Sequence, residues 1–357
     1  MENIFDYHNE QTIFLSESIN NKTKIYLDLN YWVDICDVTL GKKQNKTIDE
    51  IYCFLKHGVE NNQLICPISY HIFIEVLKQN DEQTLQQTIK IIDELSQGYI
   101  LKEKRQRFEL ELFNFFYDNL KIKVDTKASQ NYWDFICNIY GFRVPTLQHL
   151  SLSDQFLIHK KYFNDVVKKY KLSDMVKNQN FKQGLSHYQN YRTDINWFMS
   201  KKIEHSQDHN VFHQLYMSEL AGVLDVYQKD IQRVFQKVLD RKVKKDGILI
   251  SSDGEINNQI VINLIYNIFD KKKMDLYLPS IDIPTMLHST LRWNKTQKYK
   301  QGDFNDIGHA TSALPYYDYF FTEGNLHTMI KQSKYDTKYS CKVASKDIDT
   351  LAMLKEL

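Results

Sequence analysis

KQGDFNDIGHATSALPYYDYFFTEGN, residues 300 to 325, holds carboxylates, a helical run, a turn and an apolar strand in one unit. Asp303 and Asp306 stand three apart at the start of a run carrying Ile307, Ala310, Ala313 and Leu314, so both carboxylates can share one helical face. Leu314 and Pro315 close that helix, because the residue before a proline disfavours helical backbone. Tyr319 to Thr322 then reads as a buried strand, with Glu323 and Gly324 at its carboxyl end, where parallel sheets usually place their chemistry. Asp318 precedes the strand and so stands at its opposite end, roughly 13 Å away at about 3.3 Å per residue.

Outward from this unit, the same alternation recurs at the other end of the chain. Lys24 to Leu27 is a compact apolar strand ending at Asp28, and helical patterns follow through Val33 and Cys36 and from Ile48 to Val59. Leu64 to Ile68 is a second strand. Ser69 is placed to cap a helix from Tyr70 to about Lys78, with Ile72, Phe73, Val76 and Leu77 on its apolar side and His71, Glu75 and Lys78 on another face. Residues 82 to 96 form a further amphipathic helix, and Tyr99 to Leu101 a third strand. Towards the C-terminus come a strand at Leu276 to Ser280, a helix around 284 to 294, a helix through Leu326, Met329 and Ile330, and a strand at Lys342 to Ala344. Strands alternating with helices predict an α/β fold, a parallel sheet flanked by helices and built from both ends of the chain.

The domain plan that follows has four parts. Residues 1–22 read as a polar leader with little to bury, 23–104 and 276–357 as one discontinuous α/β domain, and 105–275 as a mainly α-helical insertion. In that insertion Phe108, Leu112, Phe115 and Phe116, then Trp133 to Ile139, show helical spacing. The clearest stripe runs through Leu215, Leu220, Val223, Tyr227, Ile231, Val234 and Val238. A turn-rich stretch at 246 to 256 precedes a helix at about 258 to 269.

A net charge of +1 gives no global attraction to a polyanion, so any such contact needs a local patch. Without an apolar run near the length of a membrane span, and with an acidic start lacking an apolar signal core, a soluble cytoplasmic protein with no membrane contact is expected. The five cysteines are scattered and form no CxxC pair, which points to reduced thiols rather than to a zinc knuckle or disulfide framework.

Acids recur at equivalent points of the strand–helix units: Asp28 after the first strand, Glu75 on the helix after the second, Asp303 and Asp306 before the penultimate strand, and Glu323 after it. A parallel sheet brings them to one edge. Clustered carboxylates repel unless protonated or bound to a cation, and hard oxygen ligands suit Mg²⁺ or Mn²⁺. Two such ions can activate a water and stabilise the leaving oxygen of a phosphodiester. Asp303 has a second reading as the cap of its helix. His71 and His309 read better as structural histidines than as ligands.

IYLDLNYW, PISYHIFIE and DFNDIGHATSALPYYDYFFTEGN resemble, in the family's order, the successive acidic motifs of PIN-domain nucleases. The resemblance covers roughly residues 23 to 104 and 276 to 350, and leaves the helical middle unexplained. It implies that Asp28, Glu75 and Asp306 are core metal ligands, that Asp303 is an additional or alternative acid, and that Glu323 lies near the family's last acidic position. That last motif departs from the usual pattern, with Glu directly after Thr322 where the family more often has Thr, one residue, then Asp. The implied activity is metal-dependent hydrolysis of a phosphodiester leaving a 5′-phosphate, with RNA preferred over DNA as the expected substrate, in a family whose bacterial members often serve as toxins or in defence.

Arg292, Lys295, Lys298 and Lys300 lead into the acidic helix with Trp293 and Tyr299 interleaved. They form a segment suited to a phosphate backbone and unpaired bases, although a solvated loop explains the same residues. The insertion would supply substrate selection, a regulatory partner surface or homo-oligomer contacts. The competing expectation is a catalytically inactive module that binds RNA or a protein partner as a scaffold.

Overall fold

The computed structural model describes residues 4–119, 131–139, 149–177, 195–205, 208–246, 258–271 and 278–357. The chain opens with helix α1 (Ile4–Asn20) and strand β1 (Thr23–Leu27), followed by α2 (Leu29–Thr39), α3 (Lys46–Glu60), β2 (Leu64–Ile65), α4 (Tyr70–Leu77), α5 (Glu82–Ser96) and β3 (Tyr99–Leu101). Its middle carries α6 (Lys104–Asn119), β4 (Trp133–Phe135), α7 (Leu152–Asp165), α8 (Leu172–Val176), α9 (Ile195–Glu204), α10 (Phe212–Asp246) and α11 (Asn258–Asp270). The last third comprises α12 (Pro279–Trp293), α13 (Gln301–Ala313), β5 (Tyr319–Phe321), α14 (Gly324–Ser333), α15 (Tyr335–Lys338), β6 (Lys342–Ala344) and α16 (Asp347–Lys355).

Four strands form one parallel sheet in the order β2-β1-β5-β6, with Ile25 opposite Tyr319, Leu27 opposite Phe321 and Phe321 opposite Ala344. Both ends of the chain therefore meet at its centre. Ile25, Tyr26, Leu27, Phe320 and Phe321 are buried, as strands covered by helices must be, and this is why they are continuously apolar rather than alternating. Main-chain pairing runs one step past the strands, from Asp28 N to Phe321 O (2.9 Å) and from Thr322 N to Ala344 O (3.0 Å). That step brings Asp28 and Thr322 to the same carboxyl edge.

Three local expectations are corrected. Residues 4–20 form a helix, not a loose leader, because Tyr7, Leu15 and Ile19 fall at helical spacing and are all buried. β3 is a strand, but it pairs antiparallel with β4, where the spacing predicts a helix, and it touches the segment after β2 through a bridge from Ile68 to Ile100. The strand expected at 276 to 280 is replaced from Pro279 onward by the start of α12, since Pro279 is pre-set for the first helical turn; residues 276 and 277 lie outside the described residues, as does most of the turn at 246 to 256.

The apolar interior has two parts. One surrounds the sheet and takes in α1, β4 and residues 163 to 176; the other joins Phe108, Leu112, Phe115 and Phe116 of α6 to α10, α11 and the start of α12. Buried acids tie the parts together. Glu111 of α6 accepts from Ser280 N (3.0 Å), Ser280 Oγ (2.7 Å) and the Tyr316 hydroxyl, and Asp282 of α12 accepts from Tyr216, Tyr335, Lys338 and Tyr339. Among the described residues, no helix is long and apolar enough to cross a membrane.

Candidate metal centre

The apolar run of β1 ends at Asp28, whose extended backbone makes it the N-cap of α2. One carboxylate oxygen accepts from Leu29 N (2.8 Å) and the other from Thr322 Oγ1 (2.6 Å), so the group is held from both sides while buried. Ser69 caps α4 through Ile72 N (3.4 Å), which fixes the helix that presents Glu75. α13 brings the third contributor. His309 Nε2 lies 2.9 Å from Glu75 Oε2 and 3.6 Å from Asp28 Oδ1, while its Nδ1 is 2.6 Å from the Tyr26 hydroxyl. Tyr26 in turn meets Ser69 Oγ at 2.8 Å, and Asn305 donates to the second Glu75 oxygen at 2.9 Å.

One ligand-type atom from each of Asp28, Glu75 and His309 lies within 4.8 Å of the others. α13 can approach α4 this closely because residue 308 is glycine; a Cβ there would come within 2.4 Å of the His71 ring. Asp306 stands one helical turn before His309. Burial, then the charges of Asp28 and Glu323, push its carboxyl up to about 7. For His309, burial opposes the charged ring, but Asp28, Glu75 and Asp306 outweigh it and hold the imidazole above its ordinary value. His71 is driven the other way, well below the usual range, by burial and by its neighbour His309.

The five expected acids are thus used differently. Asp28 and Glu75 converge on His309, and Asp306 is close enough to feel the charge of Asp28 and Glu323. Asp303 is engaged at the start of its own helix: it is buried and accepts from Lys300 N at 2.8 Å, so the capping alternative describes it, and its charge adds only the last of the contributions that raise Asp306. Glu323 sits exposed at the N-cap of α14, engaged by the Asn30 side chain at the rim. Asp318 accepts from Lys24 N (2.7 Å) at the far end of the sheet, as the strand direction requires.

His309, which reads as structural in the sequence, is the main addition. Its spacing of three from Asp306 was the available signal. Thr322, Tyr26 and Ser69 carried none, since their part depends on which strands are neighbours. The basic segment also changes. Arg292 is paired with Glu219, and Tyr299 is buried against Phe198 and Phe304, which removes it as a stacking surface. Lys295, Lys298 and Lys300 are exposed, with no carboxylate in ion-pair range among the described residues. No family model, curated protein or solved structure matches this chain.

Proposed function

We propose that the chain is a PIN-like, metal-dependent nuclease, more specifically an endoribonuclease. One observation carries the reading: two carboxylates and an imidazole from three separate segments converge within 4.8 Å at the carboxyl edge of a parallel sheet, beside a third acid raised to about 7 by burial and then by the charges of Asp28 and Glu323. A site that gathers negative charge from distant segments against its own repulsion is suited to a cation. The donor set fits a divalent ion, since hard carboxylate oxygens suit Mg²⁺ and Mn²⁺ while an added imidazole favours Mn²⁺ over Mg²⁺.

Asp28 and Glu75 would hold the ion with His309, and Asp306 would complete the negative lining. When bound, the ion supplies an activated water and a counter-charge for the leaving oxygen of a phosphodiester. The remaining work falls to the protein's own groups. Thr322 and Leu29 N fix the Asp28 carboxylate, Asn305 fixes Glu75, and the Tyr26 hydroxyl sets the plane of the His309 ring, as outer partners of ligating side chains do.

The test combines binding and cleavage. Mn²⁺ titrated calorimetrically into chelator-stripped protein should bind, and a labelled single-stranded RNA should be cut only when the ion is present. Asp28→Asn and Glu75→Gln should each lower cleavage by at least roughly a hundredfold, with circular dichroism unchanged. Full activity in both variants sinks the reading. A second reading, a non-catalytic scaffold, is favoured by the hydrogen bond that ties Glu323 to Asn30 at the rim; it requires that no Mn²⁺ be bound.

A further inference from the structure

We propose that a cavity of about 460 Å³ where α9, the start of α10 and the end of α12 meet binds one unpaired nucleotide of an RNA strand. The strand continues past the amino end of α13 towards the carboxylate cluster, a direction that rests on the nuclease reading. Met199, Ile203 and Leu215 give the cavity an apolar floor, Trp293, Lys295 and His209 stand among its other walls, and among the described residues no Asp or Glu lines it. Its volume is in the range of pockets that enclose small ligands.

Trp293 is 43% exposed, although Phe212 packs edge-on against it at 5.7 Å, so the indole is supported on one side and open on another. A flat, held aromatic ring beside a cation matches a base and its phosphate: the base stacks and the ammonium meets the charge. An acidic peptide would use the cation and leave the indole without a partner. Arg292 and His205 also reach the cavity, but they are already paired, with Glu219 and Asp208, which leaves Lys295 as the cation for a phosphate.

The rim is fixed in advance. Lys202 is buried, and its ammonium donates to the carbonyl oxygens of Leu291, Asn294 and Gln297 at 2.6, 2.7 and 2.6 Å, tying down the segment that carries Trp293 and Lys295. That segment runs directly into α13 with Lys298 and Lys300 exposed on the way. At a rise of 1.5 Å per residue, Asp306 is only about 9 Å along the axis from Lys300. Cavity, cations and cluster therefore follow one another along a single stretch of chain, from Trp293 through Lys300 to Asp306 and His309.

Binding is read by fluorescence anisotropy of a labelled oligouridylate with the full chain in EDTA, where cleavage cannot intervene. Trp293→Ala is expected to weaken binding at least about fivefold and Trp293→Phe to restore most of it, while Lys295→Ala lowers both affinity and its salt dependence by roughly one phosphate contact. Lys355→Ala, on α16, is the unaffected control. Wild-type affinity in both Trp293→Ala and Lys295→Ala overturns the proposal, as does equal competition by the duplex form of the same RNA or failure of the wild type to bind. Because no metal is present, these outcomes stand apart from the nuclease test: retained cleavage in Asp28→Asn and Glu75→Gln removes the nuclease reading and leaves this binding result untouched.

Discussion

Asp306 bears the cost of the cluster most plainly, since its carboxyl is held near 7 by burial and by Asp28 and Glu323. In the unfolded chain the same group ionises near 3.9. Between those values the unfolded state has released its proton and the folded state has not, so rising pH progressively favours unfolding, and the penalty is complete above about 7. Asp306→Asn removes it. In EDTA at pH 8 the variant is expected to be more stable than wild type by roughly 2 kcal/mol, after allowance for solvent screening, with little difference near pH 4. Urea unfolding at the two pH values checks this; equal stability at pH 8 would mean that Asp306 does not sense its neighbours. His309 shows the limit of residue-level reading. A lone histidine on a helix is usually structural, and only the arrival of Glu75 and Asp28 at its Nε2 gives it another part.

At the scale of elements, the helix around Asp303 to Ala313 and the strand at Tyr319 were legible because each is announced locally, by periodicity, by Pro315 and by a run of apolar residues. The start of α12 was not. A proline can begin a helix or interrupt one, and here Pro279 begins it while Pro284 lies inside. The end of α12 is governed by Lys202 of α9, whose three carbonyl partners include Leu291 within the helix and Asn294 just beyond it. Lys202→Met keeps the side-chain length and removes the donor. It is expected to cost about 2 kcal/mol in urea unfolding, a figure typical of charge-assisted hydrogen bonds to buried acceptors. An unchanged midpoint would show that water replaces the ammonium without loss.

For the whole molecule, the sheet joins the two ends of the chain, and α1 belongs to the same interior as the sheet. Ile19 is fully buried there, so Ile19→Ala should destabilise the protein by about 2–5 kcal/mol, as core truncations do. A loss under 0.5 kcal/mol by thermal or urea unfolding would instead mean that α1 is only loosely attached.

The sequence by itself determined where the two central strands of the parallel sheet, β1 and β5, lie to within a residue, that Asp28 follows one directly, and that Glu75 and Asp306 ride on helices. Each of these is a local consequence of hydrophobic spacing, caps and strand direction. Only the tertiary structure decided that His309 stands between Asp28 and Glu75, that Asp303 turns to its own helix end, and that Trp293 is open while Tyr299 is buried. Those outcomes depend on contacts between residues far apart in the chain, where steric fit such as the glycine at 308 and competition among partners choose the neighbour, and no local pattern records that choice.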